Sequence, residues 1–357
     1  MKQRLSRRLA AAVLALTAAF LLQVGAVSAA DPVVIRVGHF PNVTHAQAVI
    51  AHALSGRAKS GEGKGWFEER LGPDVKIQWY IYNAGPSAME AIFADSIDLT
   101  YVGPNPAINA HLKSQGEEIR IVAGACSGGA ALVVQSDGRI KTDADFRGKK
   151  IGTPQFGNTQ DVAARAWLQS KGLHVTMTGG DAFVLPTANP DQLSLFQRGQ
   201  LDAVWTVEPW VSRLVLEAGG QVYLDERSLW KETGGKYVTT HLVSSVKFLR
   251  DHPDLVKKWI AAHVELTQWI NEHPDEAKKI LNEEIAAETT KALPQATLDS
   301  AWKRLEVTYD PVRASLVKSA EDAYRIGFLK NKPDLSRIYD LKLLNEVLRE
   351  RGLPEVK

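Results

Sequence analysis

Hydrophobic positions change their period along the chain, and the changes mark its elements. Residues 9–22 are a nearly continuous apolar run behind Lys2, Arg4, Arg7 and Arg8. From residue 33 to about 206, short β-rich runs alternate with segments whose apolar residues recur at helical spacing. The pattern predicts strands at 33–37, 76–82, 98–102, 119–123, 130–135, 150–152, 182–185 and 201–206. Between them it predicts helices at 45–54, 107–112, 159–169 and 192–197, and one carrying Met89, Ile92 and Phe93 with Pro86 in its first turn. Such alternation predicts α/β layers with mainly parallel sheets. After about residue 245 the texture turns helical. Asp251-His252-Pro253-Asp254 reads as a helix start, followed by Leu255, Trp259, Leu266 and Ile270 at helical spacing. His273-Pro274-Asp275 starts another helix, and 301–305, 316–328 and 341–349 read as further ones.

The first thirty residues read as an address. A basic start, an apolar stretch too short for a comfortable membrane span, and Val27-Ser28-Ala29-Ala30 before Asp31-Pro32 follow the order of a secretory signal. An uncleaved anchor is the alternative. No cysteine lies near the expected cleavage point, so no lipid anchor is expected there. The expectation is a soluble exported protein of a bacterial periplasm. The 357 residues, 45% hydrophobic and 24% charged, exclude disordered, collagen-like and polytopic membrane classes and suggest two domains. The formal charge of +2 is carried by the leader. Without it, 39 bases face 41 acids, which leaves no electrostatic footprint for nucleic acid. A single cysteine, Cys126, excludes an internal disulfide and any site built from paired cysteines.

The candidate chemistry lies in small-residue turns. Gly85-Pro86-Ser87, Gly103-Pro104-Asn105 and Gly157-Asn158-Thr159 each fall between a strand and a helix, and Ser127-Gly128-Gly129 lies between two strands. Helix N-termini present backbone N–H groups without intrahelical partners, and their dipole favours anions. Glycine lets a ligand approach the backbone, and Ser, Asn and Thr add short donors. Taken singly, each turn is an ordinary cap. Converging at the strand C-termini of an α/β sheet, they form a cradle for a small oxyanion without an arginine.

Three stretches carry a resemblance. Ala84 to Ala91, with Ser96-Ile97-Asp98-Leu99 and Val102-Gly103-Pro104-Asn105-Pro106, is similar to the first lobe of the nitrate/sulfonate/taurine family of ABC-transporter periplasmic substrate-binding proteins. The run DADFRGKKIGT at 143–153 resembles that family's entry into its second lobe. Residues 192–198, Gly199-Gln200-Leu201-Asp202-Ala203 and the Trp-rich turn 205–210 resemble its later segment. The resemblance implies a two-lobe type-II periplasmic binding protein with a helical C-terminal tail, an α/β fold whose lobes each hold a mainly parallel sheet. Lobe one would be residues 31–126 and 237–357, and lobe two 127–236. The crossings would lie near 124–128 and 234–242. His39, Phe40, Asn42, Ser87, Asn105, Ser127, Gly128, Asn158, Thr159, Trp205 and Glu208 would line the cleft. The implied role is capture of an aliphatic sulfonate or taurine by hinge closure of a monomer. Membrane permease subunits would be its partners, with no cofactor, metal or nucleic acid. Nitrate, bicarbonate and phosphonate are alternative anions.

Other readings stay open on the residues themselves. Glu208 would pair with a ligand amine or simply serve as a helix N-terminal acid. Trp205, Trp210 and Tyr237 would wall off a ligand's tail or belong to the core, and the core is the expectation for Trp210. Cys126 is a buried small hydrophobe or, in an enzyme on the same fold, a nucleophile. Among nine histidines no H-E-x-x-H occurs. His45 and His52 share a helix face, but two histidines are half a metal site. Neither a nucleophile elbow nor a P-loop is present.

Overall fold

The computed structural model describes residues 32–357, so the expected secretory signal lies outside the described residues. Eleven strands follow in chain order: β1 (Val33–His39), β2 (Val75–Ile81), β3 (Leu99–Val102), β4 (Ile119–Gly128), β5 (Ala130–Gln135), β6 (Lys150–Thr153), β7 (Phe183–Pro186), β8 (Ala203–Val207), β9 (Gly220–Asp225), β10 (Val238–Ser245) and β11 (Leu305–Val307). They form two sheets. One has six strands in the order β11-β4-β10-β3-β1-β2, and the other five in the order β7-β6-β8-β5-β9. Among the described residues no helix is long and apolar enough to cross a membrane.

The α/β layering follows the hydrophobic pattern, but the strand pairing is mixed where mainly parallel sheets were expected. β1 with β3, and β6 with both β7 and β8, are parallel. β10 runs antiparallel to β3 and β4, β11 to β4, and β5 to both β8 and β9. The cause is chain routing. β4 belongs to the first sheet and β5 to the second, with only Gly129 between them. The chain returns to the first sheet through 226–237 and enters β10. An outgoing and a returning strand laid side by side must run in opposite directions. Two consecutive glycines make the outgoing step possible: Gly128 and Gly129 have φ of 83° and 85°, where other residues are strained. The same geometry makes Ser127-Gly128 the end of a strand rather than part of a turn.

Alternation decides which residues enter which core. In β5, Ala131 and Val133 pack on one face and Leu132 and Val134 on the other. In β8, Val204 faces one way, and Ala203 and Trp205 the other. Both faces are covered by helices, so β8 reads as an unbroken apolar run. The first sheet does the same. Leu242 joins a core with Trp259, Ile260 and Ile280, and the next residue, Val243, joins one with Met89, Ile108 and Leu316. β9, β10 and β11 were not among the expected strands. β9 is half-buried, and β10 carries Thr239, Thr240, His241, Ser244 and Ser245 amid its apolar residues. The C-terminal region is also more than an appended tail. β11 edges the first sheet, and Ala323 and Ile326 pack against Val162 and Ala166 of the helix Thr159–Ser170 that flanks the second.

One buried ion pair organises that helix. Asp161 and Arg165 are both fully buried, 3.1 Å apart, one turn from each other. Asp161 also accepts from Thr153 Oγ1 (3.0 Å) and Gly157 N (3.1 Å), and Arg165 donates to the carbonyls of Thr176 and Val184. The carboxylate therefore ties β6 and the loop after it to the helix N-terminus. Removing one partner of a buried pair leaves an uncompensated charge, at a cost of about 3–5 kcal/mol. Asp161→Ala is expected to lower unfolding free energy by about that amount in denaturant melts. Asp161→Leu combined with Arg165→Met should recover most of it.

Buried titratable groups of opposite sense set the response to acid. His263 donates from Nε2 to the Gly124 carbonyl (2.8 Å) and accepts the Tyr101 hydroxyl at Nδ1 (3.1 Å), and burial pushes its pKa down to about 4. His241 is likewise held near 4 by burial. Burial pushes the carboxyls of Glu208 and Glu226 up to about 7, against the donors that face them. As pH falls below about 6.5 the unfolded chain protonates histidines that the folded chain keeps neutral, so the histidines lose stability toward pH 4. The two glutamates take up protons first in the folded state, so they gain stability as pH falls from 7 toward 4.5. The two effects oppose each other. Relative to the wild type, Glu226→Gln should make thermal stability fall more steeply from pH 7 to 4.5, and His263→Gln should make it fall less steeply or rise.

Candidate functional site

Two adjoining cavities lie where corners of both sheets meet. The smaller, of about 30 Å3, is walled by Phe40, Asn42, Thr44, His45, Asn83 and Gly103 from the first sheet's loops and helices. Pro154, Asn158, Thr159, Gln160, Asn189 and Val207 close it from the second sheet's elements, and Thr239 from β10. Three helices begin here: Pro104–Lys113 after Gly103, Thr159–Ser170 after Asn158, and Asn189–Gln197. The first two starts nearly touch. A Cβ on Gly103 would lie 2.6 Å from Thr159 Oγ1, so this position has no room for a side chain. The positive dipole ends of three helices thus concentrate on one small space, although Pro104 and Pro106 carry no N–H and the Asn105 N–H faces Thr159 Oγ1.

The carboxamides around it are oriented by donors. The Trp210 indole N–H, which can only donate, points at Asn42 Oδ1 (3.1 Å). The Thr159 backbone N–H points at Asn158 Oδ1 (3.0 Å), and the Thr206 hydroxyl at Asn189 Oδ1 (3.2 Å). In each case the oxygen is engaged, and the NH2 is left for the cavity. No lysine or arginine lines this smaller cavity. His45 is buried and accepts from Phe40 N, and desolvation holds its pKa well below the ordinary histidine value, so it contributes no charge at neutral pH.

The larger cavity, about 340 Å3, shares Phe40, Asn42, Asn83 and Asn189 with the smaller. Its further walls are largely apolar: Pro41, Pro190, Pro209, Trp210, Ile285, Leu293 and Pro294. Arg213 and Lys291 supply its cations, and Arg213 is paired with Glu217 and stacked on Trp210.

Of the residues expected to line a cleft, the structure brings Phe40, Asn42, Asn158 and Thr159 to these walls. Asn105 is buried beside them, its N–H 3.5 Å from Thr159 Oγ1. The others are placed elsewhere, each engaged by protein. Ser87 Oγ donates to the Ala84 carbonyl (2.8 Å), an ordinary helix-start bond. Ser127 Oγ accepts from Tyr237 N (3.2 Å), and Gly128 packs against Arg304 and Arg227 at the strand crossing. His39 is fully buried beside His52 and Glu288. Trp205 is in the core of the second sheet, its indole donating to Glu226 (2.8 Å). Glu208 is wholly buried and accepts from Ser212 N and Oγ at 3.0 Å, the helix-start role, with Arg304 at 3.3 Å.

Trp210, expected in the core, packs partly buried against the second sheet's core and also borders the larger cavity, whereas Trp205 and Tyr237 are core. Asn83 and Asn189 were missed. Asn189-Pro190 opens a helix directly after a strand, the same signal that marked Asn105 and Asn158, so Asn189 was legible. Asn83 had no such signal.

Known proteins share this architecture. A Bacillus subtilis (strain 168) protein named for aliphatic sulfonate binding is 24% identical over 81% of this chain and 84% of its own length. The alkanesulfonate-binding protein SsuA of Xanthomonas axonopodis pv. citri, solved with MOPS bound, superposes with a TM-score of 0.69 at 21% identity over 87% of this chain and 99% of that one. The nitrate-binding protein NrtA of Synechocystis PCC 6803 does so with a TM-score of 0.69 at 15% identity over 91% of this chain and 90% of its own. The type-II periplasmic binding protein fold implied by the motif order is the fold observed. The model of the NMT1-like family matches residues 28–286, most of the chain, and this protein belongs to that family.

Proposed function

We propose that the chain is the solute-binding component of an ABC-type importer, working in the periplasm. Its solute is a small molecule with an oxyanion head, an aliphatic sulfonate or taurine before nitrate, bicarbonate or phosphonate. The observation that carries this reading is the pairing of the two cavities. The smaller concentrates three helix starts and carboxamide N–H groups without a cation, and the larger, which shares Phe40, Asn42, Asn83 and Asn189 with it, is walled mainly by Trp210, Ile285, Leu293 and prolines, with Arg213 and Lys291 at its edge. A sulfonate head fits the first by chemistry and its organic tail the second. A bare nitrate or sulfate has no use for the second. The names of the relatives, for sulfonate binding in two of the three, support the same order.

The head cannot enter a space of about 30 Å3, which holds only a water or two. The walls must part, and the two chain crossings, at Gly128-Gly129 and at 226–237, are where they would turn. The elements before Ser127 and after Lys236 then form one lobe, and 127–236 the other. Ligand binding both walls stabilises the closed form, because the open form makes only half of those contacts. Charge-assisted hydrogen bonds contribute about 1.5–3 kcal/mol each. Several of them reach the roughly −8 kcal/mol of a micromolar complex after ordering costs. Permease subunits in the membrane would read the closed shape of a monomer. No cofactor and no catalytic step enter this scheme.

The test is a thermal-shift panel on the purified exported protein with taurine, ethanesulfonate, nitrate, sulfate, bicarbonate and methylphosphonate at millimolar concentration. Ligands that bind only the folded state must raise Tm. A rise with the organosulfonates, exceeding that with nitrate, is expected, and a flat panel would overturn the assignment. Asn189→Ala should weaken sulfonate binding about tenfold, some 1.4 kcal/mol, and lower the ligand-free Tm modestly, because the buried Thr206 hydroxyl loses its acceptor. Asn158→Ala should lower both, since Asn158 also caps a helix worth about 1 kcal/mol.

The thiol distinguishes this reading from an enzyme. Cys126 is buried, and desolvation pushes its pKa up to about 12, so it holds no thiolate at neutral pH. Iodoacetamide at pH 8 should leave the native protein unmodified and alkylate it rapidly once unfolded. Fast alkylation of the folded protein would bring the nucleophile back.

A further inference from the structure

We propose that His39, His52 and Glu288 form a zinc site behind the cavity wall, with Glu284 within reach of its fourth position. The three residues come from three elements. His39 ends β1, His52 lies on the helix Ala46–Ser60, and Glu288 lies on the helix Pro274–Thr289 with Glu284 one turn before it. Their ligand atoms converge on one point. His39 Nε2 is 3.1 Å from His52 Nδ1 and 3.1 Å from Glu288 Oε1, and His52 Nδ1 is 2.8 Å from the same oxygen. Glu284 Oε1 is 3.1 Å from His52 Nδ1.

Those spacings lie close to what a metal requires. Zinc binds imidazole nitrogen at about 2.0–2.1 Å and carboxylate oxygen at about 2.0–2.2 Å. Tetrahedral ligands at that radius stand about 3.3 Å from one another. The observed triangle is a few tenths of an ångström tighter. A point about 1 Å above its plane lies at bonding distance from all three corners. His39 Nδ1 lies 3.4 Å from the Phe40 carbonyl, so the ring's other nitrogen, Nε2, is the one that faces the triangle. An imidazole whose far nitrogen is oriented by a backbone carbonyl is the arrangement that supports a metal ligand. Glu288 Oε2 is buried with no hydrogen-bond partner, a second sign of an incomplete shell.

The surroundings suit a closed, structural site. The His39 side chain is 0% exposed and that of Glu288 2%. Trp79 stacks on His52 at 5.5 Å and meets His39 edge-on at 5.6 Å, holding both rings. Two imidazoles with carboxylates suit zinc over calcium or magnesium, which take oxygen shells. The ion would clamp β1, immediately before Phe40, to the helix that supplies Ile285 and Thr289 to the larger cavity. It is separate from the solute site: neither histidine and neither glutamate lines either cavity.

The experiment uses the purified exported chain, dialysed against chelator and titrated with zinc chloride. Bound metal is counted by plasma mass spectrometry and Tm is followed in parallel. One zinc per chain with a raised Tm is expected. His52→Ala and Glu288→Gln should each weaken zinc binding at least 100-fold, and His174→Ala, at an exposed histidine elsewhere, should not change it. Cobalt substitution of the wild type should give the intense visible absorption of a tetrahedral site, a readout that does not depend on any variant folding. Failure of the wild type to retain zinc, a weak octahedral cobalt spectrum, or unchanged affinity in folded His52→Ala and Glu288→Gln would each overturn the proposal. None of these readouts involves a sulfonate, so the zinc site and the solute assignment stand or fall separately.

Discussion

The architecture depends on one routing constraint: the chain leaves the first sheet as β4 and returns to it as β10, and the two strands pair side by side. Everything between them belongs to the second sheet. Because the outgoing and returning strands are neighbours, the two sheets stay close at that point, and their βα corners meet nearby. Gly128 and Gly129 take a backbone conformation that L side chains disfavour, so the exit can be made within a single residue. β11 adds itself to the other side of β4, and Arg304, just before it, reaches Glu208 and Asp225 of the second sheet's elements.

Around that constraint, the small cavity is arranged without a lysine or arginine. The small cavity draws its positive potential from helix N-termini and oriented carboxamides. Such dipoles are fixed by the fold and need no desolvated lysine. The cost lies behind the walls, where Asp161 and Arg165 are wholly buried. That pair is tolerable because every partner it needs is present: the loop N–H of Gly157, the Thr153 hydroxyl and two backbone carbonyls. Burial likewise raises Glu208 and Glu226 and lowers His241 and His263, so each of these four groups is shifted toward its neutral form.

The histidines illustrate how far local spacing carries. From the sequence His45 and His52 are expected on one helix face, but the helix begins at Ala46 with His45 as its cap, and their separation offers only half of a metal site. Folding separates the pair. His45 turns to the cavity, while His52 meets His39 from β1 and Glu288 from 236 residues further along the chain. No periodicity links those three positions. The aromatic residues behave the same way: Trp205 sits on a strand buried on both faces, and Trp210, five residues on, starts the helix that borders the larger cavity.

By itself the sequence determined the α/β alternation, the helical C-terminal third, the family, and the helix starts at Asn105 and Asn158. These are local matters of apolar period, capping residue and motif order, and each is complete within a dozen residues. Only the tertiary structure decided the mixed pairing, since β10 is a polar-studded strand whose partners lie more than a hundred residues away. The tertiary structure alone also withdrew Ser87, Ser127, Trp205 and Glu208 from the walls and brought Asn83, Asn189 and Trp210 to them. A side chain's residue type states what it can donate or accept. Which partner satisfies it is settled by packing, and so is whether the group faces a cavity at all.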